Sequence, residues 1–517
     1  MAKRFICTSS EPIVQTKAGK VRGFILDSTH TFHGIKYADA KRFKMPTPVA
    51  PWEGVKDALS YGHVAPIPTP DSPGWDLYIN HRFWPQSEDC QYLNVWTQSL
   101  DSDAKKPVMV WLHGGGYFSG SSIEHVAYDG DNLSKHGDVV VVSLNHRLNF
   151  LGYLDLSSFG ERYANSGNLG QADIVEALKW VRENIASFGG DPDNVTIFGH
   201  SGGGGKCNAL LQTPAADGLF HKAIIMSGVS GRDSFLRGGG PRKDRELTEG
   251  MLAQLSFGPE DIEKLETVPL AVLTKAFNNA AQALAGGDGL FSIMRIGLRP
   301  TPNDWYVGDP YDVGFTEHAR TIPVMVGSVF CEFSSPPQIN KPDELSAEER
   351  RAHIAEYYGT EHTDDLIARF KESFPDKNEL MIRYLTNRQG TIEYCRTKAE
   401  QSEAPVYNYL FSLTFAVDDG KPAWHGAEMP FVFHNTDKIA ISNIPGVSDQ
   451  LEQQVYSAFV NFARFGNPNN EVGPEWPVFT TGCEATMIFD SPSRIGIDFD
   501  QRLMELHRIT APAGNFF

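Results

Sequence analysis

The residues of this chain best suited to do chemistry are Gly199-His200-Ser201-Gly202-Gly203. They follow a β-type run, Val195-Thr196-Ile197-Phe198, and open a helix-like segment. A serine on a tight strand-to-helix turn is crowded by its own backbone, so its neighbours must be glycine. The turn presents the hydroxyl at a helix N-terminus, where N–H groups and the dipole favour negative charge. Such a hydroxyl suits nucleophilic acyl transfer; the plainer alternative is a flexible glycine-rich loop. The run Gly202–Gly205 before Lys206 invites a phosphate-loop reading, but that motif needs glycine at 200 and Ser or Thr at 207, where His200 and Cys207 stand.

A second feature is His113-Gly114-Gly115-Gly116, directly after the apolar run Pro107–Leu112. Acyl transfer needs N–H donors aimed at the developing oxyanion, and glycine backbone approaches where a side chain would block. The serine turn supplies one such donor, from Gly202, and a loop of this kind supplies the rest. The serine also needs a base, and the base an acid to orient it, in the chain order Ser, acid, His. Downstream lie His221, His318, His353, His362, His425, His434 and His507. His425 stands out because it follows the run Val406–Phe411 and a loop with Gly and Pro. Glu332 stands out because it follows the run Pro323–Val326 by a few residues. Pattern alone leaves both choices open.

These residues need a frame. Pro107–Leu112, Val139–Leu144, Val195–Phe198, Ala223–Met226, Pro323–Val326 and Val406–Phe411 read as buried strands, most of them continuous apolar runs. Helical spacing runs through Gln171–Ser187 and Leu451–Phe465, and Ser346 with Glu349 has the form of a capping box. The alternation predicts an α/β fold with a mostly parallel sheet covered on both faces. The stretch 231–305 has no clear strand and reads as a helical insertion over one end of the sheet. With no linker in view, residues 1–517 are expected to form one domain.

Composition narrows the function. With 46 basic and 64 acidic residues the net charge is −18, which opposes nucleic acid or an anionic membrane as partner. The six cysteines form no CxxC pair, so no metal site is expected. No run nears 18 apolar residues and the first residues lack an apolar signal core, so a cytoplasmic protein without a membrane span is expected.

At nearly every defining position, Phe188-Gly189-Gly190-Asp191-Pro192-Asp193-Asn194-Val195 leading into Gly199–Gly203 resembles the serine signature of type B carboxylesterases. This branch of the α/β-hydrolase fold includes cholinesterases and bacterial p-nitrobenzyl esterases. Glu88-Asp89-Cys90-Gln91-Tyr92-Leu93-Asn94-Val95 is similar to its second signature, with Gln91 where leucine is usual. Asn145-His146-Arg147, Gly167–Gly170, Phe462–Pro468 and Trp476-Pro477 match as well. The resemblance implies a Ser201–Glu332–His425 triad, with oxyanion donors from Gly115, Gly116 and Gly202 and support of the acid by Ser227. Val329 and Phe333 depart from the family's acid motif, and His200 and Gly202 replace its usual Glu and Ala. The lost methyl at 202, with the glycine loop, implies room for branched alcohols. The resemblance also implies ion pairs Arg42–Glu88 and Arg147–Asp173, and an unpaired Cys90.

The expected activity is hydrolysis of small-molecule carboxylic esters by two-step acyl transfer, without cofactor or metal. A binding module of the same fold that had lost its nucleophile would lack one of the three residues. An amidase or acyltransferase with the same triad stays open. Trp75, Tyr78, Phe83, Trp84, Tyr117, Phe118 and Phe291 are candidates to line the substrate gorge, or equally to pack the core.

Overall fold

The computed structural model describes residues 4–68, 79–232, 242–286, 296–334 and 336–510. Its frame is a sheet of twelve strands among these residues. In chain order they are β1 (Phe5–Ile6), β2 (Phe24–Leu26), β3 (Thr29–Lys36), β4 (Tyr92–Thr97), β5 (Lys106–Leu112), β6 (Val140–Leu144), β7 (Gly190–His200), β8 (Lys222–Met226), β9 (Val324–Val329), β10 (Val406–Phe411), β11 (Ala485–Phe489) and β12 (Arg494–Ile497). Across the sheet the order is β1-β2-β3-β4-β6-β5-β7-β8-β9-β10-β11-β12. From β6 to β11 every neighbouring pair is parallel, and the flanking strands pair antiparallel.

The parallel strands are apolar because both faces are covered. On one face Trp111, Phe198, Ile224, Met325 and Tyr409 pack with Leu451, Val455, Phe459 and Phe462 of a helix spanning Ser448–Phe465. On the other, Val108, Val110, Val195, Ile197 and Ile225 pack with Ile174, Val175, Leu178 and Val181 of a helix spanning Leu169–Asn184. We call the latter α1. The six expected strands are present; β7 begins earlier than its apolar run, at Gly190. The Ser346 capping box is formed, with Ser346 and Glu349 exchanging hydrogen bonds at the head of Ala347–Tyr358.

Because β5 to β10 run parallel, their C-terminal ends share one edge of the sheet. Leu112, His200, Met226, Val329 and Phe411 end there, and the candidate site loops begin there. A helix over Gly202–Leu211, α2, follows β7 directly. Between β8 and β9 the described residues contain helices and no strand. Two of these helices, α3 (Asp244–Gln254) and α4 (Leu270–Ala285), pack Leu247, Met251 and Phe277 with Phe118, Phe150 and Tyr153 beside the glycine loop.

Both implied ion pairs form. Arg42 meets Glu88 at 2.7 and 2.5 Å. Arg147 binds Asp173 of α1 at 2.9 and 2.6 Å with both side chains buried, and Asp173 also accepts the Arg147 N–H. This pair ties the turn after β6 to α1. Asp173→Ala strands a guanidinium in the interior and should destabilise by about 3–5 kcal/mol. Urea denaturation checks this against Asp364→Ala, which breaks the exposed Arg351–Asp364 pair and should leave the midpoint almost unchanged.

Candidate active site

Ser201 sits at the junction of β7 and α2 with φ +56° and ψ −123°, a conformation that costs of order 1–3 kcal/mol and persists only where its surroundings enforce it. Its N–H donates to Met226 O at 2.8 Å, tying the turn to β8. The flanking glycines answer a lack of space. A Cβ on Gly203 would lie 1.9 Å from Leu112 O, and one on Gly199 would lie 2.4 Å from Gly203 C.

The glycine loop faces this turn. Gly115 and Gly116 have φ +85° and +63°, and Gly115 O accepts the N–H groups of Phe118 and Ser119. Among the described residues, no hydrogen bond uses the N–H of Gly115, Gly116 or Gly202. The corner at Gly202 is not the open space expected from its missing methyl. A Cβ there would meet Gly116 N and Cα at 2.4 Å and Gly116 O at 2.3 Å. The loop backbone occupies the volume a methyl would fill, so the missing methyl at 202 adds no space of its own for a branched alcohol.

Glu332 and His425 come from separate loops that the backbone joins. Cys331 N–H donates to Ala423 O at 2.8 Å, and Cys331 bridges Trp424 in parallel register. Glu332 Oε2 then lies 2.5 Å from His425 Nδ1, while Oε1 accepts the Val329 N–H at 3.0 Å. Thr386 Oγ1 accepts the Glu332 N–H at 3.1 Å. The His425 ring is flanked by His200 at 4.4 Å and Phe333 at 4.3 Å between centroids. His425 Nε2 is buried with no hydrogen-bond partner, so no bond to Ser201 Oγ is formed. Such contacts often tighten only when substrate binds.

The remaining candidates divide. Ser227 follows β8 with φ +49°, and its buried Oγ has no hydrogen-bond partner; the Glu332 carboxylate accepts from Val329 N–H, and its backbone N–H donates to Thr386 Oγ1. Glu428, three residues after His425, is fully enclosed. Burial and the charge of Glu332 raise its carboxyl to about 8. Burial, and then the nearby His425, hold His200 well below the usual imidazole range, so His200 is neutral. Phe118 is core, Tyr117 meets Tyr153 edge-on with centroids 4.8 Å apart, and Phe83 and Trp84 lie at the surface. Trp75, Tyr78 and Phe291 lie outside the described residues.

Sequence reading missed Thr386, which gives no motif signal, and the place of Lys206, buried in α2 with Nζ 3.0 Å from His113 O. A lysine in an otherwise small and apolar helix was the available clue. No described helix is long and apolar enough to cross a membrane.

Comparison with known proteins agrees with this architecture. The model of the carboxylesterase family matches residues 10–503. The para-nitrobenzyl esterase of Bacillus subtilis (strain 168) is 36% identical over 503 residues, covering 94% of this chain and 96% of that protein. Phenmedipham hydrolase of Pseudarthrobacter oxydans is 30% identical, covering 93% and 95%. A solved structure of an esterase from anaerobic Clostridium hathewayi, described as able to hydrolyze aliphatic aromatic polyesters, is 49% identical with a TM-score of 0.92, covering 98% of this chain and all of that one. From near its first residue to near its last, on an α/β-hydrolase sheet, the chain belongs to the carboxylesterase family: it is a serine hydrolase that cleaves carboxylic esters through an acyl-enzyme intermediate.

Proposed function

We propose that Ser201 is the nucleophile, His425 its general base, Glu332 the orienting acid, and the N–H groups of Gly115, Gly116 and Gly202 the oxyanion donors. The observation that carries the reading is the 2.5 Å contact of Glu332 with His425 Nδ1 on a ring packed against His200, the neighbour of Ser201. Nδ1 donates to the carboxylate, which leaves Nε2 unprotonated and able to take the Ser201 proton as Oγ attacks the ester carbonyl. The N–H groups hold the tetrahedral oxyanion, His425 protonates the departing alcohol, and a water activated by His425 then releases the acid. Glu332 offsets the imidazolium charge formed in each half-reaction.

The same reading takes the chain as one α/β-hydrolase domain with a helical cap, acting in the cytoplasm on esters. Support for the compartment comes from the cysteines, all six of them unpaired, Cys90 included. For substrate we infer esters that include aliphatic aromatic polyesters, on the strength of the 49% identity to the Clostridium hathewayi enzyme. The test is hydrolysis of p-nitrophenyl butyrate and release of soluble aromatic monomer from a polyester film. Ser201→Ala should lower both by about 10⁴-fold or more without loss of folding. Film left intact by an enzyme active on the butyrate would remove the polyester from the proposal; turnover in pure Ser201→Ala would remove the nucleophile.

Glu332→Gln should slow kcat by about 10³–10⁴. Glu428→Gln should leave turnover near wild type and act on stability instead. The folded carboxyl at about 8 holds a proton that the unfolded chain, near 4.5, gives up. Wild-type stability therefore falls as pH rises from 4.5 to 8, and the glutamine is spared that loss. The Tm gain of Glu428→Gln should be larger at pH 8 than at pH 5; a gain equal at both would contradict the protonated carboxyl.

Gly202→Ala should disturb the Gly116 backbone, and so slow every ester by up to about 10²–10³ if a donor is displaced. Parallel rates on n-butyl and tert-butyl acetate check this. Loss confined to the tert-butyl ester would restore the open-corner expectation.

A further inference from the structure

Lys206 is the one side chain of the glycine-rich run that neither the triad nor the oxyanion donors use. It lies one turn into α2, and its side chain is completely enclosed. An ammonium has three protons to donate. Among the described residues, the Lys206 ammonium has a single hydrogen-bond partner, His113 O at 3.0 Å. His113 follows Leu112, the last residue of β5, and starts the glycine loop. The surroundings offer little else to a cation. His113 stacks on His146 at 5.0 Å, and burial together with the Lys206 charge keeps both imidazoles neutral. Burial pushes the Cys207 thiol up, so it is neutral as well. Gln171 of α1 donates to the Lys206 carbonyl, leaving the ammonium to the loop. The opposing charge that acts on it is Glu124, whose carboxylate accepts the Ser121 N–H at the far end of the same loop.

A fully buried lysine with one neutral acceptor is costly relative to an apolar residue of the same size. Stability therefore does not explain its presence, and its contact does: it grips the peptide from which the loop springs.

We propose that Lys206 is a positioning residue for the oxyanion site, fixing the carbonyl of His113 so that the Gly115 and Gly116 N–H groups meet that of Gly202, with its charge at the base of the loop favouring the negative charge that develops there. This rests on reading those three N–H groups as the donors. The helix that carries Ser201 thereby carries the clamp for the loop opposite, and nucleophile and oxyanion donors move as one unit. Errors of about 1 Å in such a site cost about 10²-fold in rate. Burial brings the Lys206 ammonium down to about 7, against the opposing pull of Glu124, so its charge is present at pH 6 and largely lost by pH 9.

The experiment compares wild type, Lys206→Met and Lys206→Gln with p-nitrophenyl butyrate and with an alkyl trifluoromethyl ketone, which forms a tetrahedral oxyanion on a serine. Lys206→Met should lower kcat at pH 6 at least tenfold with KM within twofold. It should weaken the ketone by the same factor and leave Tm unchanged or higher. The wild-type to Met ratio of kcat should shrink from pH 6 to pH 9 as the ammonium discharges. Lys206→Gln, a neutral donor, should recover part of the loss, and is read in the same way if the methionine variant does not fold. A kcat within twofold of wild type, or a loss that is equal at both pH values and follows a lowered Tm with ketone affinity intact, overturns the proposal. Gly116→Ala separates the two readings. If it too leaves kcat unchanged, the oxyanion assignment falls; if it slows the enzyme while Lys206→Met does not, only the role of Lys206 falls.

Discussion

The structure depends on one backbone-against-backbone junction, where the start of α2 is pressed onto the ends of β5 and β8. At Gly203 the clearance to Leu112 O is too small for any Cβ, and a Cβ on Gly228 would likewise lie 2.4 Å from Gly204 Cα. With no side chains between them, the nucleophile turn, the glycine loop and the end of β8 share one rigid surface. This contact, held by the Ser201–Met226 hydrogen bond, is what sustains a serine at φ +56°. The parallel sheet supplies the alignment: β5, β7 and β8 run in register, so Leu112 lies opposite Gly199 and His200 opposite Met226. The cost of the strained serine is met by the strand ends that pack against the turn.

A second constraint acts on the acid and base. Neither is on a regular element, yet their loops are stitched together before the side chains meet, through Cys331 and Ala423. Phe333, which departs from the family's acid motif, takes one side of the His425 ring, and His200, which replaces the family's glutamate, takes another. Two departures that looked unrelated in sequence thus pack against the same imidazole. The hydroxyl of the implied prop Ser227 is left without a hydrogen bond; the Glu332 carboxylate accepts from Val329 N–H, and Thr386 fixes the Glu332 backbone.

The parallel strands were legible because burial on both faces makes them continuous apolar runs. Their antiparallel neighbours were not. Tyr92–Thr97 is broken by Asn94, which is buried because it bonds Gly34 N–H and Ser143 Oγ; Thr29–Lys36 is broken by an irregularity between Phe32 and Ile35. In the site, the serine turn and the glycine loop declared themselves through local spacing, since crowding there is a local matter. Glu332 and His425 needed the family resemblance, because what joins them is a pairing across more than ninety residues of sequence. Lys206 was missed and Gly202 misread for the same reason. A lysine after glycines gives no sign of its burial, and a glycine in place of alanine looks like added space. Both depend on how closely another segment approaches, which spacing along the chain does not encode.

The charges follow from the same closeness. Most of the buried ionisable groups around the site are held neutral. His113, His146 and His200 are held neutral, and Glu428 keeps its proton near neutral pH. On the proposed mechanism, the carboxylate of Glu332 lies against the imidazole that would become cationic, and the ammonium of Lys206 against the loop beside which the oxyanion would form. Proton transfer from serine to histidine creates one charge of each sign. The resident charges are matched to them in advance, one to each, and the neutral groups around them keep the local dielectric low enough for the match to count. The loss of the family's glutamate at position 200 fits this arrangement. A third resident charge beside Ser201 would have no partner in the reaction, and a neutral ring there packs against His425 instead.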